Sequence, residues 1–390
     1  MCPHRTDIFD AVKKNYKALD QSSLVRTRRA HDTPQGPVIR MSGKNIINFC
    51  SNDYLGLANH PALVSAMKEG IDRYGVGSGA SQLICGYSTA HEKLEEKLAE
   101  FTGRQKAITF SSGYLANLAI VNTLLDRSDT ILGDKLNHAS MIDAARMSHA
   151  SFKRYRHTDA ISLHNLLQRS GDGKKLVMTD GVFSMDGDIA PLPDLAQICS
   201  TMNAWLVVDD AHGFGVLGKN GGGTVGHFGL TAKTVPILMA TFGKALGTAG
   251  AFIAGDNDVI EQFIQSARTL IYSTALPPSL AFATVRALEL VHEEKWRKQH
   301  LQALIDRFRG RAKELGLPIM NSRTAIQPLF AGSAEKAVET STKLYEKGIY
   351  VAAIRPPTVA CGTSRLRITL TAAHNEEQID QLLDVLHRLV

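Results

Sequence analysis

Short apolar runs recur through the middle of the chain. Each is closed by Gly, Asp or Ser and followed by a longer stretch with apolar residues at helical spacing. "KAITF" leads into "SSG" and then a segment with Leu118, Val121 and Leu125 on one face. "DTILGD" precedes "HASMIDAARMS", "KLVMTDG" precedes "LPDLAQICSTM", and "WLVVDDAHG" runs into a glycine-rich loop. "VPILMATFGK" and "AGAFIAG" close the series. Runs that are apolar throughout, rather than alternating, suit strands buried on both faces, and helices between them suit parallel pairing. The pattern predicts an α/β domain with a mainly parallel sheet.

Beyond Ser279 the pattern changes. It predicts one long helix, roughly Leu280 to Gly316, with a charged middle, "HEEKWRKQH". "GIYVAAIRPP" and "RLRITLTA" read as strands. The last segment sets Ile379, Leu382, Leu383, Leu386 and Leu389 on one stripe, with Asn375 as N-cap and Gln378 three residues on. The expected organisation is an N-terminal helical arm over 1–44, a large domain over 45–285 and a smaller α+β domain over 286–390. The N-terminal helix is expected to pack near the last of these.

A chain of 390 residues has room for more than one domain, and 44% hydrophobic with 21% charged residues suits a soluble globular protein. Lys+Arg 44 against Asp+Glu 38 leaves +6, too thin an excess over this length for nucleic-acid binding. Arg26, Arg28 and Arg29, after Lys13, Lys14 and Lys17, suit an anionic small molecule or an acidic partner, or equally a solvated basic helix end. Cys2, Cys50, Cys85, Cys199 and Cys361 form no C-x-x-C, which argues against a disulfide framework or a zinc ribbon and for a reducing compartment. No metal is expected. The N-terminus lacks a signal-peptide stretch and no run approaches the ~20 apolar residues of a membrane span, so a cytoplasmic location and no membrane partner are expected.

Three tempting motifs fail on context. Gly75-x-Gly77-x-x-Ala80 follows a helical pattern rather than a strand, Gly243-Lys244 lacks the rest of a P-loop, and "HEEKW" has no second histidine. What remains is a lysine, Lys244, standing among small residues after an apolar run, where an ammonium finds little cover. Asp209 ends another run, and His212 follows on its turn. A buried aspartate there needs a cationic or donor partner, which a pyridinium nitrogen would supply. Gly113 and Tyr114 open a helix whose free N–H groups suit a phosphate. His138 and Ser184 follow two further strands. An aldehyde, a pyridine ring and a phosphate would use this whole set, so the cofactor expected is pyridoxal 5′-phosphate (PLP), with Lys244 as its Schiff-base lysine.

The motifs "SNDYLGLANHP", "GSGAS", "GYSTAHEKLEEKLAEFTG", "DGVFSMDGDIAPL", "VDDAHGFGVLG", "TFGKALG", "IYSTALPP" and "AIRPPTVACGTSRLRITLTAAH" occur in one order from about Leu24 to the C-terminus. Together they resemble the α-oxoamine synthases, PLP enzymes of fold type I. The resemblance implies a large domain with a mainly parallel seven-stranded sheet, a small C-terminal domain and an N-terminal helical arm. It implies catalytic roles for Lys244, His138 (stacked on the ring), Asp209 (at the pyridine nitrogen) and His212 (at the phenolic oxygen). Gly113, Tyr114, Ser184 and Thr241 would contact the cofactor, and Thr274 would reach the neighbouring subunit's cofactor phosphate, implying a homodimer with shared sites. His138, Arg26 and Thr358 resemble substrate-binding positions, and Asn52, Arg355 and Arg367 look placed for a carboxylate. Asp180, Cys50 and the "GTAGA" after the lysine depart from the family's commoner residues. The activity implied is decarboxylative condensation of an amino acid with an acyl thioester. The segment "IRPPTV…SRLRITLTAAH" points to L-alanine with a pimeloyl thioester, on CoA or acyl carrier protein, as in biotin synthesis; the alternative is glycine with acetyl-CoA.

Overall fold

A computed structural model describes residues 7–22 and 24–390. Cys2 and the first six residues of the expected arm lie outside the described residues. The chain forms two compact units. One gathers the described residues up to Ser51 with Ala303–Leu370 and His374–Val390; the other holds Asn52–Gln302 and Thr371–Ala373. The chain passes between units within a helix, about 17 residues beyond the 285/286 boundary expected from the change of pattern.

The larger unit is built on seven strands. Their order across the sheet is Lys106–Phe110, Ala251–Gly255, Ile237–Thr241, Trp205–Asp209, Lys175–Asp180, Thr130–Asp134 and Ser151–Tyr155. Ala251–Gly255 runs antiparallel to both neighbours, and the other pairings are parallel. The parallel strands therefore present their carboxyl ends along one edge, which is where Asp134, Asp180, Asp209 and Thr241 stand. Ile108, Ile120, Ile131, Met178, Val207 and Ile253 are buried within one apolar cluster around this sheet, each contributing ~1.5–3 kcal/mol by leaving water. The strand Ser151–Tyr155 was not anticipated. "SFKRY" is an edge strand in which only Tyr155 is fully buried, so it lacks the apolar signature of the central ones.

The long helix expected from Leu280 is two helices, Pro278–Glu293 and Trp296–Glu314. Glu294 leaves helical geometry between them. Its carboxylate takes the Arg297 Nε at 2.5 Å and faces His60 Nε2 at 3.3 Å, while Arg297 Nη1 donates to the Leu55 carbonyl at 3.0 Å.

The smaller unit contains a hairpin, Val38–Met41 and Lys44–Asn48, joined through Ser42 and Gly43, both with positive φ, as a two-residue hairpin turn requires. Ile349–Tyr350 pairs parallel to it. A second sheet, Ile326–Gly332, Ser364–Thr369 and Ala352–Ile354, is antiparallel. The final helix, Glu376–Leu389, has the anticipated capping box of Asn375 and Gln378, and buries Ile379, Leu382, Leu383 and Leu386. The N-terminal helix, Ile8–Gln21, buries none of its residues, contrary to the expectation that it packs.

Candidate active site

The apolar strands of the larger unit that run in one direction, all but Ala251–Gly255, hand the chain to polar turns at the same sheet edge. The turn after Ile237–Thr241 carries Lys244, and the turn after Trp205–Asp209 carries His212. Lys244 Nζ and His212 Nε2 lie 2.9 Å apart. The other imidazole nitrogen, Nδ1, meets the buried Tyr54 hydroxyl at 2.5 Å, and that hydroxyl donates to Asn52 Oδ1 at 3.3 Å.

Asp209 is 4% exposed. Its Oδ2 accepts from Asn117 Nδ2 at 2.8 Å and its Oδ1 from the Ala211 backbone N–H at 3.1 Å. Asn117 also donates to Ser140 Oγ at 2.9 Å, and Ser140 Oγ lies 2.7 Å from His138 Nδ1. His138 is the N-cap of the helix Ala139–Met147, and its backbone N–H donates to Asp180 Oδ2 at 2.7 Å. Desolvation lowers the His138 imidazole pKa, opposed by the Asp209 charge. Burial, and then the neighbouring Asp209, push the Asp180 carboxyl well above the usual range, with the His138 N–H pulling the other way. Asp180 thus anchors the turn that presents His138.

Gly113 opens the helix Gly113–Leu124, capped by Ser112. A Cβ there would stand 2.7 Å from Thr241 Cγ2. The Thr241 hydroxyl is buried, with no hydrogen-bond partner among the described residues. A helix N-terminus beside a hydroxyl that has nothing to bond is a fitting seat for a phosphate. A buried carboxylate, a lysine amine and an imidazole complete what a pyridine aldehyde needs, so the residues present fit PLP. Tyr114 is exposed and donates to Asp143 Oδ2 at 2.5 Å. Ser184 is half-buried on the hairpin closed by Val182 and Ile189. Thr274 is exposed, and its carbonyl accepts from Ser111 Oγ at 3.1 Å. Thr248, one of the departures after the lysine, meets the Thr284 hydroxyl at 2.9 Å.

The remaining expected residues belong to the smaller unit. Arg26 Nη2 donates to Thr358 Oγ1 at 3.2 Å, and Arg355 Nη2 to the Val25 carbonyl at 2.5 Å. All three of Arg26, Arg355 and Thr358 line a cleft of about 330 Å³ that also holds Arg29 and Tyr350. Arg367 is buried and donates to Thr369 Oγ1 at 3.0 Å. Cys50 donates to the Tyr350 carbonyl at 3.4 Å, and burial pushes its thiol up to about 12.

Sequence reasoning missed Tyr54, Asn117, Ser140 and Asp210. Asn117 is the polar exception in "GYLANLAIV", which is the signal that would have found it. Asp210, the next residue after Asp209, is wholly buried, with Oδ2 accepting from the Thr224 N–H at 2.7 Å; burial pushes its carboxyl up to about 7.

The sequence matches the family model for aminotransferase class I and II over residues 44–386. It is 54% identical to the 8-amino-7-oxononanoate synthase of Pseudomonas fluorescens over 363 residues, 93% of this chain and 92% of that one. It is 55% identical to the enzyme of the same name from Methylococcus capsulatus over 361 residues, 93% of each. Among solved structures, the fold matches a serine palmitoyltransferase variant of S. paucimobilis, solved with a PLP–myriocin adduct, at a TM-score of 0.93 and 28% identity, covering 99% and 98%. It also matches the 8-amino-7-oxononanoate synthase of Francisella tularensis at a TM-score of 0.78 and 35% identity, covering 88% and 97%. The chain therefore belongs to the aminotransferase class I and II family, in the branch of the 8-amino-7-oxononanoate synthases.

Proposed function

We propose that this chain is a PLP-dependent acyltransferase that condenses L-alanine with a pimeloyl thioester to give 8-amino-7-oxononanoate, CO2 and free thiol in biotin synthesis. The observation that carries it is the 2.9 Å contact of Lys244 with His212 on the sheet edge that holds Asp209, in a chain 54–55% identical to two enzymes of that one name.

PLP, when bound, supplies an electrophilic carbon for the amino group and a pyridinium that takes up the electron pair left at alanine Cα. Asp209 keeps the ring nitrogen protonated, and Asn117 and the Ala211 N–H hold that carboxylate in place. Lys244 would hold the cofactor, and its free amine would take the Cα proton of the substrate. His138 would orient the ring, His212 would serve its phenolic oxygen, Ser184 and Tyr114 would contact it, and Gly113 and Thr241 would take the phosphate. A carbon–carbon bond forms from Cα to the thioester carbonyl, the carbon–sulfur bond breaks, and the thiol leaves with a proton. The proton taken from Cα leaves on the thiol, and after loss of the alanine carboxylate as CO2 a proton from solvent takes its place at Cα, which closes the balance. Asn52 and His138 are proposed substrate contacts, Arg355 and Arg367 carboxylate binders, and Arg26 and Thr358 contacts for the acyl donor, on CoA or acyl carrier protein. Thr274 serves the phosphate in a second copy, making a homodimer. A cytoplasmic location belongs to the same reading; among the described residues no helix is long and apolar enough to cross a membrane.

The test is mass spectrometry of products from the purified holoenzyme with L-alanine and pimeloyl thioester, run beside glycine with acetyl-CoA. Formation of 8-amino-7-oxononanoate with release of CO2, abolished in Lys244→Ala, is the expected result. Turnover of glycine with acetyl-CoA and none of the first pair would overturn the reading in favour of a sister synthase.

A further inference from the structure

One histidine away from the groups above carries two carboxylates. His157 follows the edge strand Ser151–Tyr155. Its Nδ1 lies 2.9 Å from Asp134 Oδ1 and its Nε2 2.9 Å from Asp188 Oδ2. With an acceptor at each nitrogen, both nitrogens donate, which is the bonding of an imidazolium. Burial alone lowers its pKa, but the two carboxylates outweigh that and raise it to about 9. Asp186 is a further acid nearby, with an oxygen within 4.8 Å of a ring nitrogen of His157 and a carboxylate oxygen of Asp188. A ring donating from both nitrogens has no lone pair for a metal, so the cluster is a charge pairing.

The two partners of His157 serve different loops: Asp134 ends the strand before one, and Asp188 lies in the other. Asp134 also accepts from the backbone N–H groups of Leu136 at 2.7 Å and Thr158 at 2.8 Å, and so starts the turn that delivers His138. Asp188 stands on the returning arm of the hairpin that bears Ser184. There the Phe183 N–H donates to the Asp188 carbonyl at 3.0 Å, and the Gly187 N–H to the Phe183 carbonyl at 2.8 Å. The Phe183 ring meets His157 edge-on at 4.4 Å between centroids. His157 therefore touches both arms of one loop and the root of the other.

We propose that cationic His157 is a positioning residue: bridging Asp134 and Asp188, it holds the His138 turn and the Ser184 hairpin at the spacing that grips PLP. This rests on the cofactor roles proposed above for His138 and Ser184. A group whose pKa is raised by folding gives its full contribution below its ordinary value near 6.5 and loses it as pH rises through about 9.

The experiment measures PLP dissociation from the holoenzyme without substrate, by cofactor absorbance after exchange into PLP-free buffer from pH 7 to 10. In the wild type the dissociation constant should rise about tenfold as pH passes 9. His157→Gln should weaken PLP about tenfold at pH 7.5 and remove much of that rise. Asp188→Asn takes away one partner and should move the rise to lower pH; it also serves if His157→Gln does not fold. Variant and wild-type curves that superimpose within twofold overturn the proposal. Substrate is absent, so failure of the alanine reaction would leave this readout intact, and the reverse also holds.

Discussion

Lys244 Nζ and His212 Nε2 stand 2.9 Å apart, with the Tyr54 hydroxyl on the far side of the same imidazole. The bond directions form one consistent chain: the lysine N–H to Nε2, Nδ1–H to the Tyr54 oxygen, and the Tyr54 O–H to Asn52 Oδ1. With the protons so placed, Tyr54 holds the histidine tautomer that accepts from Lys244. Tyr54→Phe removes the acceptor at Nδ1 while keeping the ring volume. A fall in kcat of about tenfold, with the KM for alanine changed less, is expected from steady-state kinetics. An unchanged kcat would show that His212 needs no such partner.

Asp209→Asn replaces a buried carboxylate by a neutral amide that no longer favours a protonated ring nitrogen. PLP binding and turnover should both drop, turnover by about 10²-fold or more. Asp209→Glu keeps the charge but displaces it, and should fall between the two. Equilibrium binding of PLP and single-turnover rates separate the effects.

Gly113→Ala places a methyl group 2.7 Å from Thr241 Cγ2, closer than packed carbons allow. Overpacking of this kind costs about 1–3 kcal/mol. The variant should melt at a lower temperature and need more PLP for saturation. Thr241→Ser, which removes the clashing methyl and retains the hydroxyl, should restore much of both in the double variant.

Asp210 offers a pH test of folding. Its carboxyl is raised from its ordinary value near 3.8 to about 7, so the folded state binds the proton more tightly than the unfolded chain. The contribution is complete below the unfolded value and is lost as pH rises through about 7. Asp210→Asn stays neutral, so relative to wild type its melting temperature should improve steadily from pH 4 to pH 7 and level off above. Parallel melting curves at all pH values would show that Asp210 stays charged in the fold.

The strand ends and the final capped helix were legible because their signals are local. An apolar run closed by Asp or Gly needs no distant partner to be recognised, and Asn375 caps its helix through a residue three positions away. The lysine and its companions were legible for a related reason: costly polar residues stand where burial is expected. The edge strand at Ser151–Tyr155 was not, since only one of its five residues is fully buried, and the break at Glu294 was not, since the groups met there, His60 and the Leu55 carbonyl, lie far away in sequence.

The sequence by itself determined the α/β rhythm, the residue types at each strand end and the chemistry they suit, because hydrophobic period and side-chain donors are properties of short segments. Only the tertiary structure decided which of those residues meet. Lys244 and His212 are 32 positions apart and Tyr54 is 158 from His212, yet one imidazole joins them. Hydrogen bonds require atoms within about 3 Å and correctly aimed, a condition set by strand order and turn geometry.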